Sequence, residues 1–356
     1  MRPPIRYARS GDLKIAYQVA GGGPIDRAHQ LINGFRATQM VRAVAELRVP
    51  DLVAAGPVSS EELAASVGVQ PEPLRRVLRA LVALGVFTES EDGRFGATDI
   101  SECFRDLPGT LRGMARMLPN ESYDAFGDLM HTLRTGQPAF EHVFGMTHWD
   151  QLAKDPERSA IFNAAMQSGT EQMMAGLVAA YDFGAVRSIV DVGGGRGTLI
   201  AALLKANPQL IGIVLDIPAG LAETEAYLNE QGVGDRCEVV HGSFFESVPA
   251  GHDVYLLKQI LHDWSDEKAT AILAACRKAM DTRGRLIVVE RIIPVRAEES
   301  AAARALFMAD IQMLVILGGR ERTEEEFRTL FEGADLRLAR VIPTTSVFHL
   351  IEGVPL

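Results

Sequence analysis

The sequence has little cysteine, no surplus of positive charge and no long apolar run, and each shortage closes off a class of protein. Cys103, Cys237 and Cys276 stand far apart and without C-x-x-C spacing, so neither a disulfide framework nor a thiolate zinc site is indicated. Acidic residues outnumber basic ones 46 to 36, for a net charge of -10. A chain of that sign repels phosphate backbones unless it carries a local basic patch, and none dominates. No segment approaches the roughly 18 apolar residues of a membrane span, and Arg2, Arg6 and Arg9 precede no apolar h-region of an export signal. A cytoplasmic protein with reduced thiols and no membrane or nucleic-acid partner is the expectation. No internal repeat or low-complexity tract occurs, and no G-x-S-x-G nucleophile elbow.

What is present is an ordinary globular balance, 47% hydrophobic and 23% charged, over 356 residues, a length that suggests more than one domain. Residues 1–26 contain two alternating segments, 5–8 and 13–19, split by Ser10-Gly11-Asp12 and closed by Gly21-Gly22-Gly23-Pro24; this predicts a hairpin with a flexible exit. It resembles the opening hairpin of α/β-hydrolases, but with no elbow downstream its role stays open. Residues 27–182 repeat apolar positions at helical spacing, as in Met40, Val41, Val44 and Leu47. Within them a helix opened by Ser59 or Ser60 with Glu61 and Glu62 behind, a turn at Val67-Gly68-Val69, a second helix over 71–84 and a hairpin around Glu91-Asp92-Gly93 make a winged helix. Arg75, Arg76 and Arg79 lie on the second helix, where a DNA reader makes its contacts. Glu72, Glu89, Glu91, Asp92 and Asp99 offset them and favour a protein-interaction module. Residues 183–356 alternate apolar runs with helical segments, the pattern of a parallel sheet with crossover helices. Strands are expected at 188–192, 211–215, 237–240, 254–257 and 286–289. Two more, 336–342 and 346–351, are too close for a crossover and are therefore antiparallel.

The first strand of this half runs into Asp191-Val192-Gly193-Gly194-Gly195-Arg196-Gly197 and then a helix. A side-chain-free turn at the C-terminal edge of such a sheet lets a ligand lie against the backbone, with the helix-start amides offered to an anionic group. Thr198 stands where a dinucleotide fingerprint needs its third glycine, so G-x-G-x-G suits S-adenosylmethionine better than a nicotinamide cofactor. Asp216 closes the second strand, where a carboxylate can accept both ribose hydroxyls; the plainer alternatives are a tight structural turn and an N-cap before Pro218. His262 emerges from the fourth strand in Leu257-Lys258-Gln259-Ile260-Leu261-His262-Asp263-Trp264-Ser265. A phenol, with a pKa near ~10, needs such a base near neutral pH, although a histidine beside a helix start is often structural. No acid and asparagine cluster surrounds His262 in sequence, so no metal is expected.

The segments 191–197 and 257–267, Val288-Val289-Glu290-Arg291-Ile292-Ile293-Pro294 and Gly318-Gly319-Arg320-Glu321-Arg322-Thr323 together resemble four successive signatures of one family: the homodimeric, S-adenosylmethionine-dependent small-molecule O-methyltransferases of the plant caffeate and bacterial polyketide type. The likeness covers about residues 27 to 356. It implies an α/β fold, a Rossmann-like class I methyltransferase sheet with a C-terminal antiparallel hairpin over 183–356, behind a mainly helical winged-helix domain over 27–182 that dimerises and lines the substrate. By resemblance His262 is the catalytic base with Glu290 and Glu321 beside it; Gly193, Gly195, Asp216, Ser243, Phe244 and Lys258 hold the cofactor; and Asn163, Met166, Asp263 and Met313 line the acceptor. Ser243 stands where plant members carry an acid that faces the adenine, and a hydroxyl accepts that bond without charge. Alternatively, Glu290 is a solvated acid at a sheet edge, Glu321 sits on an exposed loop, and the methionines are core filler. The implied reaction is metal-independent methylation of a phenolic or enolic hydroxyl on a small aromatic or polyketide-like metabolite. The rivals are a relative that hydroxylates or decarboxylates, and a winged-helix regulator.

Overall fold

A computed structural model describes residues 23–356 and the strand backbone of residues 5–10 and 13–18. Strands β1 (Ile5–Ser10) and β2 (Leu13–Gln18) pair antiparallel, as the alternating segments lead one to expect; the turn at Gly11-Asp12 and the exit at Gly21-Gly22 lie outside the described residues. The chain divides into two compact units, Met1–Glu102 and Cys103–Leu356.

In the first unit α1 (Pro24–Glu46) and α2 (Val49–Leu52) lead to α3 (Ser60–Val67). Ser59 caps α3 and Glu62 returns the bond, a reciprocal pair that satisfies two orphan amides, and Gly68 ends the helix with φ +72. Helix α4 (Pro71–Ala83) buries Leu74, Leu78 and Leu81, one face at helical spacing. Strands β3 (Thr88–Glu89) and β4 (Phe95–Gly96) form the antiparallel wing, and α5 (Asp99–Glu102) closes the unit. The arginines of α4 meet acids of the same unit: Arg79 lies 3.1 Å from Glu89 and Arg76 3.9 Å from Glu72.

In the second unit come α6 (Arg112–Met117), α7 (Tyr123–Gly127), α8 (Leu129–Thr135), α9 (Ala139–Phe144), α10 (His148–Lys154) and the long α11 (Pro156–Ala180). The sheet follows: β5 (Ser188–Val192), α12 (Thr198–Ala206), β6 (Ile211–Asp216), α13 (Thr224–Glu230), β7 (Cys237–His241), β8 (Val254–Lys258), α14 (Asp266–Ala279), β9 (Arg285–Arg291), α15 (Ala301–Ile316), α16 (Glu324–Glu332), β10 (Leu336–Pro343) and β11 (Phe348–Pro355). The strand order is β10-β11-β9-β8-β5-β6-β7, parallel except for β11, which runs antiparallel to both its neighbours. Successive strand residues face opposite sides. Ile189, Val254, Leu256, Ile287 and Val289 pack with Leu199 and Leu203 of α12, while Val190, Tyr255, Leu257, Leu286 and Val288 pack with Ile272 and Leu273 of α14 and Phe327 and Phe331 of α16. The sheet order reverses between β5 and β8, and the crevice at their carboxyl ends is where ligands bind in such sheets.

The unit boundary falls after Glu102, whereas helical patterning places a domain boundary at 182. The difference has a packing cause. Met173, Leu177 and Tyr181 belong to the same core as β5, β8 and α12, so α11 is part of the sheet unit although its sequence continues the helical texture before it. Among the described residues no helix is long and apolar enough to cross a membrane, and Cys237 and Cys276 are buried free thiols.

Candidate active site

After β5 the backbone reverses through three glycines with positive φ, +74 at Gly193, +53 at Gly195 and +81 at Gly197, a conformation that side chains disfavour. Gly193 is also crowded, since a Cβ there would lie 2.6 Å from Ile260 Cδ1, whereas Gly195 opens onto space with nothing within 4 Å. The Gly195 N–H donates to Asp216 Oδ2 at 2.9 Å and the Ile217 N–H to Oδ1 at 2.7 Å. Asp216 therefore braces the turn from the end of β6, and burial raises its carboxyl against those two bonds. Asp191, 2% exposed, is pushed up to about 7 by burial, with the Lys258 charge opposing. Burial lowers Lys258 in turn, and its Nζ donates to Gln259 Oε1 at 3.1 Å. Phe244, half-buried, places Cε1 3.5 Å from where a Gly193 Cβ would stand; Phe245 is more exposed and packs edge-on against Trp264. The Ser243 hydroxyl accepts from the Phe245 N–H at 3.2 Å, a bond within its own turn that still leaves a lone pair.

His262 sits in a single 3-10 turn, Leu261–Asp263, beyond β8, and is buried. Its Nδ1 is 3.1 Å from Glu321 Oε1 and 3.6 Å from Glu290 Oε2, its Nε2 is 3.3 Å from Asp263 Oδ1, and its backbone N–H donates to Glu290 Oε1 at 3.3 Å. Glu290 and Glu321 are 0% and 1% exposed, so neither is the solvated acid that its sequence position also allows. Acids invisible as a cluster in the sequence thus gather around the imidazole from β9 and from the loop before α16.

Their charges set the protonation of the group. Burial opposes a charge on His262, but Glu290, Asp263 and Glu321 together outweigh it and lift the imidazole to about 9. Burial pushes Glu290 up to about 7 and Asp263 to about 6 against the pull of His262. Glu321 stays below the ordinary carboxylate range despite its burial, because it bonds His262 and accepts from Arg291 Nη1 at 2.9 Å. The Oε2 atoms of Glu290 and Glu321 have no hydrogen-bond partner among the described residues. His262, Glu290 and Glu321 offer ligand atoms within 4.8 Å of one another, a donor set of the kind that holds a cation; here Arg291 already supplies positive charge to it.

Of the expected acceptor-lining residues, Asp263 lies beside His262 in its own turn, and the other three lie on helices braced against the glycine turn and against Glu321. Asn163 and Met166 are half-buried on α11, and Met313 is half-buried on α15, while Met173 is core. Arg196 Nη1 of the glycine turn donates to Gln167 Oε1 of α11, and the guanidinium lies 4.8 Å over the Tyr227 ring. The Glu321 N–H donates to Asp310 Oδ1 of α15 at 2.8 Å. Arg196 and Arg291 escape sequence reasoning, because an arginine beside a glycine turn or an acid reads as solvated; Asp310 stands in the same 310–313 segment as Met313, whose resemblance to an acceptor-lining helix is its signal.

Comparison with known proteins bears on what this arrangement does. An O-methyltransferase dimerisation domain matches residues 29–106 and an O-methyltransferase domain residues 126–337. The chain is 42% identical to the phenazine O-methyltransferase of Lysobacter antibioticus, over 92% of this chain and 95% of that protein. It is 38% identical to the O-demethylpuromycin-O-methyltransferase of Streptomyces alboniger, over 96% and 92%. Among solved structures, an O-methyltransferase of neocarzinostatin biosynthesis in complex with S-adenosylmethionine and 2-hydroxy-5-methyl naphthoic acid superposes with a TM-score of 0.79 at 36% identity, over 90% of this chain and 96% of that one.

Proposed function

The chain belongs to the S-adenosylmethionine-dependent O-methyltransferase family, and on that premise we propose that His262 is its general base, removing the proton from a phenolic or enolic hydroxyl of a small aromatic metabolite. The observation that carries this is the imidazole held beside Glu290 and Glu321 at the mouth of the β5–β8 crevice. A carboxylate at Nδ1 fixes the ring and stabilises the imidazolium formed as the acceptor loses its proton.

The cofactor is S-adenosylmethionine, which supplies a methyl group on a sulfonium sulfur. The residues present fit it: Gly195 borders open space beside free helix-start amides, Asp216 is oriented by two backbone bonds, and Phe244 faces the turn. In our reading Gly193 and Gly195 keep the backbone clear, Asp216 holds the ribose, Lys258 and Asp191 set the charge beneath the turn, and Ser243 and Phe244 meet the adenine. Asp263 positions the acceptor oxygen, and Asn163, Met166 and Met313 line the ring. At rest His262 carries its proton at neutral pH. The imidazolium is disfavoured when a cation occupies the neighbouring cleft, so His262 reaches its proton-accepting form at lower pH in the loaded enzyme than in the free one.

The substrate is a small molecule. That it is a hydroxylated aromatic, and that residues 27–182 both dimerise and line it, is our proposal; the first part is supported by the naphthoic acid bound to the similar neocarzinostatin enzyme, and the second by the match to a dimerisation domain and by the acids that pair with Arg76 and Arg79. Incubation with labelled cofactor and a panel of phenolic, naphthoic and phenazine acceptors tests it. A product heavier by one methylene, with the methyl on oxygen, is expected. A hydroxylated or decarboxylated product, or a methyl on nitrogen, would overturn it.

A further inference from the structure

The Gly318–Thr323 segment contributes more than Glu321. Three consecutive residues of it grip the turn that carries His262. The Arg320 N–H donates to the His262 carbonyl at 2.9 Å, and the Glu321 carboxylate meets the ring. The Arg322 guanidinium donates to carbonyls on both sides of His262, from Nη1 to Leu261 O and from Nη2 to Trp264 O, each at 2.8 Å, and from Nε to Asp266 Oδ1 at 2.9 Å. Nη1 also reaches Arg320 O at 3.4 Å. On the other side the Ile293 N–H donates to Arg322 O at 3.0 Å, and Ile292 and Arg322 form a parallel bridge just past β9, the strand that carries Glu290. The fit has no slack at Gly319, where a Cβ would lie 2.0 Å from His262 O.

Arg322 is 0% exposed. A buried guanidinium is a poor route to stability, since apolar side chains of similar volume commonly do as well. What it offers instead is a rigid fork of donors that pins several acceptors in one geometry. The two carbonyls it pins bracket a one-turn helix: Leu261 O also accepts the Trp264 N–H at 3.2 Å that closes the turn, and Trp264 O, at its far end, is held by the guanidinium.

We propose that Arg322 is a positioning residue for His262: it fixes the 261–264 turn so that the imidazole Nδ1 stays on the Glu290 and Glu321 carboxylates. This rests on His262 being the base. Lysine cannot replace it, because one ammonium on a flexible stem does not span two carbonyls and a carboxylate. Loosening the turn withdraws the carboxylates from the ring, which slows the chemical step and returns the imidazole toward ordinary titration, while the glycine turn and Asp216 are untouched.

The test uses the full chain and its Arg322→Lys, Arg322→Met, Asp266→Ala and His262→Ala variants, with an acceptor that the wild type methylates. Thermal melting, S-adenosylhomocysteine affinity by calorimetry, kcat and the pH midpoint of kcat/KM are read for each. Both Arg322 variants are expected to lose about 10- to 100-fold in kcat, to keep cofactor affinity within about twofold, and to shift the pH midpoint down toward the ordinary histidine range. Asp266→Ala, at a half-exposed partner of the fork, keeps the bonds of Arg322 to both carbonyls and is expected to fold and to show the same pH shift with a smaller kcat loss. A folded Arg322 variant with wild-type kcat and midpoint overturns the proposal, as does an equal loss of cofactor affinity and turnover. If neither Arg322 variant folds, an unshifted midpoint in Asp266→Ala overturns it. Undiminished turnover by His262→Ala instead removes the base assignment itself.

Discussion

At the residue scale the site is a problem of too many acids around one histidine. Four buried ionisable groups cannot all be charged, and the result is an imidazole raised to about 9 beside Glu290 raised to about 7 and Glu321 held low, against its burial, by His262 first and Arg291 second. A base works in its neutral form, so kcat/KM, which reports the free enzyme, is expected to rise with pH to a midpoint well above the ~6.5 of an unperturbed histidine. Glu290→Gln removes one of the charges that lift the imidazole and should lower that midpoint; a midpoint near 6.5 in the wild type would contradict the charge assignment. Stability runs the other way. His262 and Glu290 both hold their protons more tightly folded than unfolded, so each contributes stability that is complete below its unfolded pKa. That contribution is lost as pH rises, through about 7 for Glu290 and about 9 for His262. His262 is legible from its place beyond a strand of the sheet, and Glu290 and Glu321 only through the motifs whose family resemblance singles them out. Arg291 and Arg322 are not, because an arginine next to an acid in sequence looks like a solvated pair, and only the folded chain shows Arg322 fully enclosed.

At the scale of elements the strands of the second unit are legible because their middles are apolar on both faces and so read as continuous runs. Their ends are less so: β9 spans Arg285–Arg291 and β11 Phe348–Pro355, where polar residues continue the ladder past the apolar run. The 3-10 turn at 261–263 has no sequence signal of its own, since bonds from a loop nearly sixty residues away shape it. The glycine turn separates two roles that its sequence merges. Gly193→Ala meets both a positive φ and the Ile260 side chain and should cost about 1–3 kcal/mol of stability. Gly195→Ala meets backbone strain alone, about 1–2 kcal/mol, but projects a methyl into the open cleft. Melting and calorimetry on both are expected to show the larger stability loss at Gly193 and a loss of cofactor affinity of about tenfold or more at Gly195. Wild-type affinity in Gly195→Ala would move the cofactor away from this turn.

At the scale of the whole molecule, the helical texture before residue 183 conceals where one unit ends, because α11 is helical by pattern yet joins the sheet core through Met173 and Leu177. The winged helix is legible from its caps and turns, and its use is not. Glu72 and Glu89 are readable as acids offsetting Arg76 and Arg79, and the fold adds that Glu89 of the wing reaches Arg79 at 3.1 Å; the dimerisation-domain match fits the apolar side chains of Leu31 and Ile32 left exposed on α1. The proposed transfer turns on His262 taking the acceptor's proton. The direct measurement is steady-state turnover of His262→Ala on a verified phenolic acceptor, alongside its affinity for S-adenosylhomocysteine. A fall in kcat of about 10² to 10⁴ with cofactor affinity unchanged is the predicted result; turnover equal to the wild type would contradict it.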